Sequence, residues 1–270
     1  MSAEGACQGE SLNVSSQRIG AWCGPAMMVI WLVGFILVAD LIPPPSPTKD
    51  PEEVAAFFQG DTNAIRVGLV LTMLSSALLG PFYAVISTQM KRIEGAYSPW
   101  STVQFGLGMV LIVLFLLPML VLLAAAYRPD RDPDTLQALY DLGWLAFVAP
   151  VSTAAVQCFT LGAVILQDTG ARPIFPRWSG YLNFWIGTLF LPGNFCVFVK
   201  TGPFAWNGLV CWWIPLLAFV SWYFVMAVLL LRAIRDQQCE GALHHNLSAF
   251  EIDTLRRLDL LEADVAATRG

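Results

Sequence analysis

The sequence Leu191-Pro192-Gly193-Asn194 combines a polar side chain with neighbouring aromatic residues. Proline and glycine weaken a helix, and Asn194 places an amide in an apolar run, where an unpaired polar group is costly. Aromatic residues lie close to it in sequence. We therefore predict a pocket for a flat apolar ligand with one polar anchor. Its predicted lining is Asn194, Phe195, Phe198, Trp206, Trp212, Trp213 and Gln157.

The same stretch has a second interpretation that needs no ligand. Tryptophan and phenylalanine are common at the two surfaces of a membrane, where they form an aromatic belt. In that interpretation an amide joins two neighbouring helices by a hydrogen bond. Gln157 and Asn194 are the pair expected to form it, because both lie in the same half of the bundle. The pocket and the belt remain open as alternatives.

Acidic residues are the remaining candidates for chemistry, and they cluster in the loops between apolar runs. An acid that faces an aromatic cavity can protonate an apolar substrate, and aromatic rings can stabilise the resulting carbocation. Membrane-bound terpene cyclases work in this general way. On this alternative the chain is an intramembrane enzyme for a prenyl or steroid-like substrate, with Glu53 or Asp141 as the acid. No G-x-S-x-G or P-loop motif indicates another reaction.

Few residues in this sequence could bind a metal ion or a cofactor. The two histidines, His244 and His245, both lie near the carboxyl end, and the six cysteines show no C-x-x-C spacing. We therefore expect no metal and no cofactor among the apolar runs. These runs also lack a central charged residue, which argues against a pump. Asp40 and Arg66, near the ends of the first two runs, are a possible ion pair.

Composition places the chain among membrane proteins. Hydrophobic residues make up 56% and charged residues 13% of the 270 positions, whereas a soluble domain carries roughly a quarter charged residues. The mean hydropathy is +0.61. The net charge of −5 provides no basic surface for nucleic acid. The expected partners are the lipid bilayer, a small apolar ligand and a membrane protein.

Long apolar runs predict an all-α, polytopic fold of six transmembrane helices arranged as three antiparallel hairpins. Residues 1–19 are predicted as a flexible segment, residues 20–236 as the transmembrane domain, and residues 237–270 as a cytoplasmic tail with an amphipathic helix. The six runs are Gly20–Ile42, Ile65–Met90, Ser101–Tyr127, Leu142–Leu166, Gly180–Val199 and Leu209–Ile234.

Short helices are predicted on the outer face, between the crossings. Asp50 is the expected N-cap of a helix over Pro51–Gln59, with proline in its first turn. Asp132-Pro133 repeats the same pattern before the fourth run. Every crossing contains a proline. Kinks at several prolines of one depth would splay the helices and open a cavity, and the alternative is that these prolines mark no site, because proline is frequent in membrane helices. The six prolines are Pro25, Pro81, Pro118, Pro150, Pro192 and Pro215.

The distribution of basic residues predicts the orientation. With the amino terminus inside, ten lysines and arginines lie on the inner side and five on the outer side. Basic residues prefer the cytoplasmic side of a membrane. We therefore predict both termini in the cytoplasm.

Two stretches resemble a family of bacterial six-helix membrane proteins of unknown function. In that family an acidic, threonine-rich outer segment leads into a helix that begins near an arginine, as Asp50-Pro51-Glu52-Glu53 and Ala64-Ile65-Arg66-Val67-Gly68 do here. A Pro-Arg turn precedes a glycine, as in Phe175-Pro176-Arg177-Trp178-Ser179-Gly180, although smaller aliphatic residues are usual at positions 175 and 178. The likeness covers residues 20–235 and implies a bacterial plasma membrane. It implies no activity.

The leading functional hypothesis is a non-enzymatic membrane protein that binds or passively handles a small apolar molecule in an outward-facing aromatic cavity. The first alternative is a structural or accessory subunit whose lipid-facing aromatic residues contact a partner. The second is the intramembrane enzyme described above.

Overall fold

The computed structural model describes residues 3–240, with side chains from Asn13 onward. Every regular element in that part of the chain is helical, which confirms the predicted all-α class. Five stretches are long and apolar enough to cross a membrane. They are Asn13–Val38, Thr62–Glu94, Pro99–Tyr127, Pro133–Gln167 and Leu209–Glu240. We keep the word crossing for each of these candidate spans, as a name for the segment.

The first stretch is helix α1, Ala3–Leu32, which continues as a π-helical turn over Val33–Val38. Residues 3–19, predicted as a flexible segment, are therefore helical. Polar side chains near residue 17 find partners on other helices. Gln17 accepts a hydrogen bond from Gln89 at 2.6 Å, and Arg18 donates one to Gln238 at 2.6 Å. These bonds extend the helix beyond the apolar run.

The short helix on the predicted outer face is present as α2, Pro51–Gly60. Asp50 caps it as predicted, because its carboxylate accepts a hydrogen bond from the Glu53 amide at 2.8 Å. The Glu53 carboxylate in turn accepts one from the Asp50 amide at 3.2 Å, which completes a capping box. A proline follows the cap at the first helical position. The sequence rule for helix starts holds in full here.

The second crossing consists of two helices, α3 (Thr62–Ser76) and α4 (Leu79–Glu94). The break follows from Pro81, which has no amide proton to donate to the carbonyl of Ala77. The third crossing is one helix, α5 (Pro99–Tyr127), and Pro118 lies inside it without a break.

The fourth crossing is also divided, into α6 (Pro133–Val148) and α7 (Ser152–Gln167), with Pro150 in the gap. Asp132 caps α6, because its carboxylate accepts a hydrogen bond from the Thr135 amide at 3.3 Å. The two Asp-Pro sequences that looked alike therefore start their helices in the same way. The last crossing is α9, Leu209–Glu240, whose first turn over Leu209–Trp213 is π-helical.

The run predicted as one helix over Gly180–Val199 is divided in two. Helix α8 covers Arg177–Phe190 and is 14 residues long. A 3₁₀ segment of 8 residues, Leu191–Phe198, follows it. The change occurs where Pro192 and Gly193 remove one amide donor and weaken the α-helix.

Glycines allow α7 and α8 to pack closely. A Cβ atom on Gly162 would lie 2.9 Å from the carbonyl oxygen of Gly180, and one on Gly180 would lie 2.8 Å from the side chain of Leu166. Small residues at a helix interface let the backbones approach in this way. Gly34 and Gly68 make a similar close contact between the π-helical turn of α1 and α3.

The first and the last of the five stretches meet at one end of the helical bundle. Near that end Arg18 bonds to Gln238, and Arg92 forms an ion pair with Glu240 at 2.7 Å. We call it the Arg18 end. At the opposite end Trp206 donates a hydrogen bond to the carbonyl of Pro45 at 3.0 Å, so we call it the Trp206 end. Helix α2 lies at the Trp206 end, where Gln59 bonds to the carbonyl of Pro129 at 3.0 Å.

Candidate ligand-binding site

A cleft of about 100 Å³ lies inside the bundle, between α1 and the four helices α5, α6, α7 and α9. Phe190 at the end of α8 completes its wall. Its lining is apolar except for one thiol and two indole N–H groups. The lining residues are Trp31, Leu111, Leu114, Phe115, Phe147, Val148, Pro150, Val151, Ala154, Phe190, Cys211, Trp212, Pro215, Leu216 and Phe219.

Aromatic rings form one continuous wall of this cleft. Phe115 lies at its centre, with ring centroids 5.6 Å from Phe147 and 5.6 Å from Phe219. Trp31 packs edge-on against Phe115 at 6.2 Å, and Trp212 lies 5.9 Å from Phe147. Rings in such offset and edge-to-face contacts are attractive beyond their buried area. The wall is therefore a packed surface.

Breaks in the helices create the space. Pro150 separates α6 from α7, and Pro215 follows the π-helical turn of α9; both line the cleft. Cys211 fixes this turn against the 3₁₀ segment, because its thiol donates a hydrogen bond to the carbonyl of Pro192 at 3.0 Å. Of the six prolines, two thus line a cavity. Pro25 lies within the continuous helix α1.

The cleft lies in the half of the bundle nearer the Trp206 end. Trp31 is about two helical turns before the end of the first crossing, and Pro215 is about two turns after the start of the last one. Both of these crossing ends lie at the Trp206 end. A molecule in the cleft would therefore sit off-centre in the bundle.

Of the seven predicted lining residues, only Trp212 lines the cleft. Trp206 is buried beside it, stacked 6.4 Å from Trp144, and its indole N–H bonds to the Pro45 carbonyl. Trp213 is half-buried and lies outside the lining. The aromatic cluster near the start of α9 was predicted, but its orientation was not.

Asn194, the predicted polar anchor, does not line the cleft. Its amide donates to the carbonyl of Leu191 at 3.0 Å, within its own turn. Phe195 and Phe198 point outward, with 54% and 77% of their surface exposed. Gln157 is buried and donates to the carbonyl of Gln104 at 3.2 Å instead of pairing with the asparagine. These positions fit the aromatic-belt alternative at the two phenylalanines.

Five aromatic residues of the cleft were missed by sequence reasoning. They come from helices far apart in the sequence, so their convergence could not be deduced from spacing. One signal was present: these rings lie inside apolar runs, away from the ends where an aromatic belt is expected. The missed residues are Trp31, Phe115, Phe147, Phe190 and Phe219.

Asp40 and Arg66 do not form the predicted ion pair among the described residues. The Arg66 guanidinium instead donates two hydrogen bonds to the carbonyl of Ala126, at 2.9 and 3.1 Å, and one to Tyr127 at 3.3 Å. The last carbonyls of a helix have no partner within the helix and attract cations. Arg66 therefore caps α5. Asp40 is exposed.

The two carboxylates proposed as catalytic acids have other positions. Glu53 is part of the capping box of α2. Asp141 lies on α6, and neither residue lines the cleft. Within the described part of the chain, no three metal-binding side chains converge.

Two indole N–H groups at the cleft, those of Trp31 and Trp212, have no hydrogen-bond partner among the described residues. A buried donor without a partner costs roughly 1–3 kcal/mol. Both side chains nevertheless remain at most 5% exposed.

Comparison with protein family models, curated proteins and solved structures gives no match for this chain. Function is therefore inferred from its own cavities, surfaces and charges.

Proposed function

We propose that the chain is a multi-pass membrane protein with six crossings in three antiparallel hairpins, the fifth being Arg177–Phe198. Its 14 α-helical and 8 3₁₀-helical residues extend roughly 37 Å at the usual rises. A hydrocarbon core is about 30 Å thick. A fifth crossing also accounts for Arg18 and Gln238 lying at the same end of the bundle, because an even number of crossings returns the chain to the side from which it started.

We further propose that the Arg18 end faces the cytoplasm of a bacterial cell. Its described side chains comprise seven basic and four acidic residues, a net charge of +3, and the Trp206 end has five basic and nine acidic residues, a net charge of −4. Basic residues favour the cytoplasmic side. Both termini then lie inside. The basic residues at the Arg18 end are Arg18, Lys91, Arg92, Arg172, Arg177, Arg232 and Arg235.

Within this membrane protein, the cleft binds a small, neutral, apolar molecule. The observation that supports this is the aromatic wall around about 100 Å³ of space. An apolar cavity of about 150 Å³ stays dry and takes up benzene, so a space of about 100 Å³ suits a molecule of that size or smaller. No carboxylate, histidine, lysine or arginine lines the cleft, so a charged ligand would lose its hydration without gaining a counter-charge. The protein handles its ligand without chemical conversion.

Filling the cleft tests this proposal. Ala154 lines it and is buried, so Ala154→Phe places a ring in the space that the ligand needs. Native mass spectrometry of the protein released from detergent would measure the mass of any retained small molecule. We expect retention by the wild type and loss in Ala154→Phe.

A matched control distinguishes the cleft from the lipid-facing surface. Val113 lies on α5 with 52% of its surface exposed, so Val113→Phe adds a similar ring outside the cleft. It should retain the molecule like the wild type. Equal retention by all three proteins would show that the molecule binds elsewhere.

The exposed face of α8 favours a second candidate, an accessory subunit. Trp178, Tyr181 and Trp185 follow one another at helical spacing, with exposures of 53%, 55% and 68%. Large aromatic residues are enriched where proteins contact each other. Purification from native membranes would then yield a stoichiometric partner, which Trp185→Ala should release. The enzyme alternative receives no support from the positions of Glu53 and Asp141.

A further inference from the structure

A second and larger cavity, of about 570 Å³, opens at the Arg18 end. The loop over residues 171–176 forms one side, and the ends of α4 and α9 form the other. Unlike the cleft, it combines charged side chains with apolar ones. The lining residues are Arg92, Ala171, Arg172, Pro173, Ile174, Pro176, Arg232, Ala233, Asp236, Cys239 and Glu240. We call it the arginine groove.

Among the described residues, the positive charge of the arginine groove is only partly neutralised. Arg92 pairs with Glu240 at 2.7 Å. Asp236 lies 3.9 Å from Arg232, at the limit of an ion pair. Arg172 has no carboxylate within ion-pair distance among the described residues. Three arginines against two carboxylates leave the lining with a net charge of +1.

The loop that carries Arg172 is ordered by its own hydrogen bonds. The carboxylate of Asp168 accepts one from the Gly170 amide at 3.0 Å and one from the Ile174 amide at 2.8 Å. The two amides, Gly170 and Ile174, lie before and after Arg172 in the sequence. The backbone position of Arg172 opposite α9 is therefore set by the fold, so less backbone entropy is lost when the arginine binds a ligand.

Because the groove lies where the crossings end, its arginines are at the depth of lipid headgroups. Arginine presents a planar set of donors that matches the oxygens of a phosphate. Basic pockets between helices on the cytoplasmic side bind anionic headgroups. The apolar residues Pro173, Ile174 and Ala233 in the same lining suit the glycerol and the first acyl carbons.

We propose that the arginine groove binds the phosphate headgroup of an anionic phospholipid, with Arg172 and Arg232 as the main contacts. Arg92 is held by Glu240 and by Gln89, at 2.7 Å each, and serves as part of the wall. This inference rests on the proposed membrane placement of the chain, but it is independent of any ligand in the cleft.

The test is a lipid titration of the full-length protein in detergent, followed by thermal stability. Phosphatidylglycerol should raise the midpoint of unfolding in a saturable way, and phosphatidylcholine should raise it much less. Near a membrane surface each basic residue contributes roughly a fivefold change in affinity for anionic lipid. We therefore expect Arg172→Gln and Arg232→Gln each to weaken the apparent affinity for phosphatidylglycerol about fivefold.

Arg128→Gln is the matched control, because Arg128 is exposed at the opposite end, after α5. It should bind phosphatidylglycerol like the wild type. Equal weakening by all three substitutions, or equal effects of the two lipids, would overturn the proposal. Inorganic phosphate as a third arm separates a lipid from a free anion: the same stabilisation by phosphate alone would refute a lipid site. Carbonate extraction of native membranes checks the membrane placement separately.

Discussion

The phenolic oxygens of Tyr83 on α4 and Tyr223 on α9 form a hydrogen bond in the centre of the bundle, between residues 140 positions apart. Both side chains are fully buried. The rings of Phe82 and Trp222 surround the pair, with centroids 5.3 and 5.0 Å from Tyr223. Water therefore has no access to either hydroxyl group. The bond joins the second crossing to the last one and fixes their rotation relative to each other.

Removal of one hydroxyl group should destabilise the protein more than removal of both. Tyr83→Phe leaves the Tyr223 hydroxyl buried without a partner, which costs about 1–3 kcal/mol. The double variant Tyr83→Phe with Tyr223→Phe has no unpaired group and should recover part of that loss. Unfolding in mixed SDS micelles measures both free energies. Tyr97→Phe is the control, because Tyr97 is 92% exposed; additive losses in the double variant would contradict this interpretation.

Two glycines should respond in opposite ways to substitution by alanine. A Cβ atom on Gly162 meets the backbone of α8 at 2.9 Å, so Gly162→Ala should destabilise by about 1–3 kcal/mol. Gly106 on α5 has no atom within 4 Å of such a Cβ. Gly106→Ala should therefore stabilise slightly, because alanine is the better helix former. The midpoint of thermal unfolding measures both; a neutral Gly162→Ala would show that α7 and α8 can separate.

Arg66 and Asp40 offer a test of capping against ion pairing. Arg66→Gln removes charged donors from the last carbonyls of α5 and should cost about 1 kcal/mol, discounted for its partial exposure. Asp40→Asn should change nothing, because the two residues form no ion pair. Equal destabilisation by both substitutions in SDS unfolding would instead support the ion pair between Asp40 and Arg66 that was predicted from the sequence.

Local features of the sequence predicted local features of the fold. Asp50 and Pro51 specify their helix start by themselves, because cap and proline act on the backbone beside them. Pro150 lies inside the fourth run, which was predicted as one helix, and the structure divides that run there. The all-α class followed from the length of the apolar runs.

Contacts between distant helices could not be obtained in this way. Whether Phe195 or Phe115 faces the interior depends on the rotation of each helix about its axis, which is set by neighbours such as the glycines of α7 and α8. An apolar run in a membrane is hydrophobic on all sides, so its pattern does not show which side is buried. Asn194 was predicted as a ligand anchor, and its amide instead donates a hydrogen bond to the Leu191 carbonyl within the 3₁₀ segment.

Xenon should distinguish the observed cleft from the predicted pocket. This gas occupies dry apolar cavities, so crystals under xenon pressure should show it beside Phe115 and Trp212. Ala154→Phe should abolish that site. Asn194→Leu should preserve it, because the Asn194 amide bonds within its own turn. Loss of xenon binding in Asn194→Leu would instead support the pocket around Asn194 that was predicted from the sequence.

Cysteine labelling tests whether Arg177–Phe198 crosses the membrane. Ala171 precedes this segment and Thr201 follows it, and both are exposed. If the segment crosses, Ala171→Cys and Thr201→Cys lie on opposite sides, and an impermeant thiol reagent added to intact cells should modify only Thr201→Cys.

Replacement of Cys7 and Cys239 by serine removes two other thiols from the background, and labelling after permeabilisation controls for access. Equal labelling of both positions in intact cells would leave five crossings and place the two ends of the chain on opposite sides. The bond from Arg18 to Gln238 at 2.6 Å favours the first result, because the side chains at both ends can meet only if the chain returns to the side from which it started.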